Sequence, residues 1–322
     1  MLVQSSNRAL LSPLVVAIAI GIAGMSSAIA AGNGHPTVTT ARHGQLTSLR
    51  HAPYNPADLT KPPKEHAVRR LPRVDTQGDH ADRAVQGTAP STAAPVLGTA
   101  VPGVGVGFTG PAGGFNVTSA PPDTVGAVGA TQYVQVVNTS LAFFDKATKQ
   151  VTYGPVPTNT VWRGFGGPCE ADNDGDAVVV YDKAANRWVI SQFAVTAAPY
   201  YQCVAVSKTS DATGGYWLYA FNYGSVFPDY PKMGVWPDAY YTTFNMFNGN
   251  SFAGAKLCAY DRAKMLTGAA ATQQCYQLST SYGGVLPADL DGATAPPAGA
   301  PNVLVNFGSN SLNLWKFHVD WT

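Results

Sequence analysis

The chain has 322 residues with a formal net charge of +1, 45% hydrophobic residues and 12% charged residues. That near-neutral balance, without a basic stripe in the body of the chain, argues against a nucleic-acid partner. No apolar run reaches the roughly 20 residues needed for a membrane-spanning helix, so no membrane span is expected.

Taken in chain order, the first feature is Arg8, followed by an apolar run from Leu10 to Ala23 that Pro13 and Gly21 interrupt. Small residues then lead to Ala28-Ile29-Ala30, a small-x-small cleavage site. Residues 1–30 therefore read as a signal peptide, and the protein as secreted or periplasmic. From Ala31 to Ala100 there are five of the six histidines, eight basic residues against five acidic ones, many prolines and the basic cluster Arg69-Arg70-Leu71-Pro72-Arg73. This stretch shows neither helical nor strand periodicity, so residues 31–100 are expected to form a disordered pro-segment, leader or linker.

Residues 101–322 carry eleven basic against fourteen acidic residues and consist of short β-branched and aromatic runs punctuated by Gly, Pro, Asn and Asp. That is the pattern of strands. Asp123, Asp176 and Asp229 open similar units at intervals of 53 and 53 residues. Each unit holds four strand-like runs, and a fourth, incomplete unit starts near Leu286. Tandem units of four antiparallel strands predict an all-β chain built as a β-propeller, with about three complete blades plus one partial blade. A sandwich has no reason to repeat its strand order at constant spacing. The missing strand of the last blade falls either to Val101–Thr109 or to further blades of a larger ring.

Four cysteines in an exported chain imply bridges. The blade boundaries put Cys169 beside Cys203, and Cys258 on a strand whose hairpin partner carries Cys275, so the expected pairs are 169–203 and 258–275. The antiparallel arrangement also gathers Asp123, Asp176 and Asp229 at one rim with Asn138, Gln192 and Asn245, and the same reading assigns Cys203 and Cys258 to that rim. These six polar residues are the candidate ligand-binding set. Carboxylates at Asp172, Asp174 and Asp176 alternate as in calcium loops and mark a candidate Ca2+ site, although Ala177 and Lys183 break the EF-hand pattern. The aromatics Tyr200, Tyr201, Tyr216, Trp217, Tyr219, Tyr240, Tyr241 and Trp236 are expected to pack between blades.

Pro121-Pro122-Asp123-Thr124-Val125-Gly126-Ala127-Val128-Gly129, Gly166-Gly167-Pro168-Cys169 with Asn173-Asp174-Gly175-Asp176, Tyr200 through Ser207, and Asp229 through Asp238 occupy matching places in the units. As a set they resemble the N-terminal part of large exported bacterial proteins with sialidase-like β-propeller bodies. The resemblance covers roughly residues 100–322 and implies a longer propeller. Ser210 through Trp217 resembles a sialidase Asp-box, with one residue too many before the aromatic.

Catalytic classes can be pruned by counting. His318 is the only histidine in the body, which leaves little for a Ser-His-Asp triad or an imidazole-held metal. A sialidase would need converging arginines, yet Arg187 begins a strand and Arg262 ends one, at the rim opposite the aspartates. A glycosidase needs two placed carboxylates, and only Glu170 and the aspartates are on offer. The expected function is non-catalytic binding of a glycan or extracellular protein through the acidic rim. The alternative is a carbohydrate-active, glycoside hydrolase-like enzyme using the same aspartates.

Overall fold

In a computed structural model of the chain, the described residues are Ser12–Val16, 35–60, 62, 64–65, 69–71, 98, 100–309 and 311–321. They form an all-β structure of successive antiparallel sheets. The first sheet is the meander Val125–Val128, Gln132–Val137, Ser140–Asp145 and Val151–Pro157. The second contains Val178–Asp182, Arg187–Ala194, Tyr200–Ser207 and Tyr216–Gly224, and the third Phe227–Val235, Ala239–Asn248, Ser251–Asp261 and Thr272–Gln277. The fourth contains Leu286–Pro287, Asn302–Gly308 and Ser311–Phe317. Three units of four strands, opened near Asp123, Asp176 and Asp229, are thus present where the repeat predicts them.

The middle sheets are buried on both faces, which explains why their strands read as continuous apolar runs rather than alternating ones. In Arg187–Ala194, Trp188 and Ile190 pack toward the first sheet while Val189 packs toward the third. A third layer joins Tyr241, Leu257 and Tyr276 of the third sheet to Leu304, Trp315 and Phe317 of the fourth. Tyr216, Tyr219, Tyr240 and Tyr241 are fully buried in these layers, as packing between sheets requires. The first strands of successive sheets lie side by side, so the sheets fan outward from them.

Two expectations are corrected. Within residues 31–100, Thr37–Thr40 adds a fifth strand to the third sheet against Thr272–Gln277, and Arg42–Leu46 adds one to the second against Tyr216–Gly224. These segments are therefore ordered. Their side chains are mostly exposed and polar, and main-chain bonds along an open sheet edge hold them, so apolar periodicity has nothing to report. Ala41, Leu46, Leu49 and Ala52 enter the core from this region. Residues 72–97 of the expected linker lie outside the described residues.

Val101–Thr109 does not complete the fourth sheet. Val104, Phe108 and Phe115 instead cover the outer face of the first sheet over Ala142 and Phe144. The fourth strand is Ser12–Val16, antiparallel to Ser311–Phe317 with Leu14 opposite Leu314. It belongs to the apolar run of the expected leader, the remainder of which, residues 1–11 and 17–30, lies outside the described residues. An edge pairs through backbone groups, so an apolar export sequence is also an adequate strand sequence.

Both disulfides match the predicted pairs. Cys169, on the short helix Pro168–Ala171, is bonded to Cys203 with a Cα separation of 5.7 Å, and Cys258 is bonded to Cys275. Cys258 is not at the aspartate rim, because the third strand of its sheet begins at Ser251 rather than near Leu257 and leaves it mid-strand opposite Cys275. No helix among the described residues is long and apolar enough to cross a membrane.

Candidate functional site

Asp123 and Asp176 precede the first strands of the first and second sheets, and Asp229 lies near the start of the corresponding strand of the third. Adjacency of these strands brings the three carboxylates together. The backbone helps to aim them: Asp123 has φ 35° and Asp176 φ 45°, in the left-handed region that Asp enters more readily than most residues. In the third sheet the register shifts between Asp229 and Lys232, and Tyr230 takes the left-handed φ of 49°. A bulge of this kind re-aims neighbouring side chains, here at a cost of about 1–2 kcal/mol for a bulky residue in that conformation.

The electrostatics show how closely the groups interact. Asp176 is pushed up to about 7, first by burial, then by the negative charges of Asp123 and Asp229 and a side-chain hydrogen bond with Asp123, with Lys232 partly offsetting them. Burial also raises Asp229, opposed first by the charge of Arg69. Lys232 is lowered by burial while the three carboxylates pull it back up. Its Nζ lies 3.1 Å from the centroid of the Tyr230 ring. The site therefore gathers three carboxyl groups, of which Asp176 titrates near neutrality, and the Lys232 side chain.

Of the candidate amides, Asn138 hydrogen-bonds to this cluster, and Asn245 stands opposite Asp229 in the strand register. Asn138 Nδ2 donates to Asp123 Oδ2 at 3.2 Å and to the Pro121 carbonyl at 3.3 Å. Its Oδ1 is buried without a hydrogen-bond partner. Gly175 packs against that amide so closely that a Cβ there would meet Oδ1 at 2.8 Å. Gln192 is fully buried and its Nε2 donates to the Asp172 carbonyl, while Asn245 Oδ1 accepts from Gly284 N at 2.8 Å. These two fasten loops to sheets, the ordinary use of such side chains.

The carboxylates of the candidate calcium loop do not converge among the described residues. Asp174 is buried, with Oδ2 accepting from Val195 N at 2.6 Å and Oδ1 from Thr196 Oγ1 at 2.8 Å, while Asp176 faces Asp123 and Asp229. Alternate side chains share a face only on an extended strand, and Gly175 at φ 107° with Asp176 at φ 45° breaks that geometry between the two carboxylates. Among the described residues no group of three or more His, Cys, Asp or Glu is arranged to hold a metal ion.

The body arginines are committed elsewhere. Arg262 holds Asp182 through Nε at 2.6 Å and a second nitrogen at 3.0 Å, with Tyr240 donating to the same carboxylate at 2.9 Å. Arg163 contacts Glu170 and the Pro53 carbonyl, and Arg187 contacts the carbonyls of Ala185 and Asn186. His318 pairs with Asp238 at 3.1 Å. Lys232, Tyr230 and Arg69 are the residues that sequence reasoning missed. Tyr230 follows Asp229 directly and Lys232 comes three residues after it, so a lysine embedded in a repeated acidic turn was the available signal. Arg69 carried none, because its contact with the third sheet is remote in sequence. Comparison of the chain with family models, curated proteins and solved structures returns no match.

Proposed function

We infer that the protein is an exported β-propeller that binds a glycan or protein partner at its aspartate rim without turning it over. The fan of four-stranded sheets about adjacent first strands supports the propeller, and the leader-like N-terminus with two disulfides supports an extracytoplasmic location. One observation carries the function: three carboxylates from three successive sheets converge, although clustered like charges oppose folding. A destabilising cluster held by a rigid scaffold is the usual signature of a site rather than of packing. Acceptors in this arrangement suit hydroxyls and cations and repel anionic ligands.

The raised Asp176 favours a second reading, a carbohydrate-active enzyme in which it donates a proton at neutral pH. Against it, the hydrogen bond between Asp123 and Asp176 leaves no room between them for a glycosidic bond, which needs carboxylates roughly 5–10 Å apart. Asp229 would have to be the second carboxylate. A glycan array and a hydrolysis screen on the same protein test both readings. Binding that weakens when Asp176→Ala and Asp229→Ala are combined supports the binding role. Turnover that vanishes in that variant refutes the non-catalytic reading.

A further inference from the structure

The described parts of the N-terminal arm cross the aspartate end of the molecule. Lys64–Glu65 pairs in parallel with Ser119–Ala120, just before Asp123. Further along, the Arg69 guanidinium lies 3.8 Å from the centroid of the Phe227 ring and 5.9 Å from that of Phe247. Leu71 then reaches the loop before the fourth sheet, where a Cβ on Gly283 would meet Leu71 Cδ2 at 3.3 Å. The described residues of the arm thus meet the first, third and fourth sheets at the end that carries the site.

Phe227 and Asp229 are two residues apart on one strand. Arg69 combines the two attractions this geometry offers, stacking on the ring and charge toward Asp229. A planar, weakly hydrated guanidinium satisfies both at once, whereas an uncharged sugar hydroxyl does not. Arg69 Nε is nevertheless buried without a hydrogen-bond partner, and the Asn138 Oδ1 acceptor beside Asp123 is likewise unused.

We propose that the aspartate rim recognises guanidinium groups, that its ligand is an arginine-bearing segment of a partner protein, and that Arg69 holds the site as a built-in competitor. The proposal deepens the binding role inferred above and rests on it. The probe is a fluorescein-labelled, blocked peptide of residues 67–73, titrated by anisotropy against the full chain and its variants. Arg69→Ala should bind the peptide at least about tenfold more tightly than the unaltered protein. Adding Asp229→Asn should remove that gain, and a peptide with alanine in place of its first arginine should not bind. Circular dichroism and melting curves establish that the variants are folded.

Equal affinity of Arg69→Ala and the unaltered protein, or equal binding of the alanine peptide, overturns the proposal. If the peptide fails but a neutral glycan binds in a manner dependent on Asp176 and Asp229, the guanidinium reading falls and the rim remains a binding site. If neither ligand binds any of the folded proteins, both readings fall.

Discussion

Replacing Asp176 by Asn should make the protein more stable, and more so as pH rises. The Asp176 carboxyl moves from an ordinary value of 3.8 to about 7 because burial and the charges of Asp123 and Asp229 penalise its ionised form. Below about pH 4 it is protonated whether the chain is folded or not, and contributes nothing. Between about 4 and 7 the folded state keeps a proton that the unfolded state has released, so stability falls as pH rises. Above 7 the full cost applies, about 4 kcal/mol for a displacement of this size. Between pH 5 and 8.5 the group should therefore remove about 3 kcal/mol of stability. Asn keeps the shape, tolerates the φ of 45° at this position and carries no charge. Urea unfolding at the two pH values should show Asp176→Asn gaining on the unaltered protein by about that amount. Parallel pH dependences in the two proteins would refute the argument, because then no buried carboxylate at this position is being forced to ionise.

Other expectations can be checked by the same methods. Asp182 is fully buried between Arg262 and Tyr240, so Asp182→Asn should cost about 3–5 kcal/mol in chemical denaturation by stranding the guanidinium. Reduction of Cys169–Cys203, which spans 34 residues, should cost about 4 kcal/mol, and of Cys258–Cys275, which spans 17, about 3 kcal/mol, as read from melting with each pair replaced by alanine. Gly234→Ala would place a Cβ on the Ala288 carbonyl oxygen between the third and fourth sheets, and should cost about 1–3 kcal/mol in thermal unfolding.

The four-strand units and both disulfides were legible because they follow local rules. Runs such as Arg187–Ala194 announce themselves by composition, and the spacing of Asp123, Asp176 and Asp229 fixes where each sheet begins. The convergence of those aspartates followed from antiparallel geometry alone. What stayed hidden depends on long-range main-chain pairing: Thr37–Thr40 and Arg42–Leu46 carry edge-strand sequences with no core pattern, and nothing in them names the strand to be joined. The alternating carboxylates of 172–176 misled because alternation means convergence only on extended backbone, which Gly175 and Asp176 abandon. Gln192 and Asn245 show a related limit, since the sequence cannot distinguish an amide that faces a ligand from one that holds a loop.

The two N-terminal strands have a kinetic meaning. They are separated only by Ala41, which is buried and hydrogen-bonds to the Ala271 carbonyl, yet they attach to different sheets. Thr40 meets Thr272, and Thr39 is held by Gln273 across 234 positions of sequence. A chain that emerges from its N-terminus makes this segment early but cannot dock it until the third sheet exists. Closing so long a loop is slow, and the outer edges of two sheets stay open meanwhile. Synthesis that halts between residue 224 and residue 272 would leave the second strand of this pair with its partner and the first without one. Under such conditions the exposed edge of the third sheet, rather than any surface of the finished fold, sets the protein's tendency to self-associate.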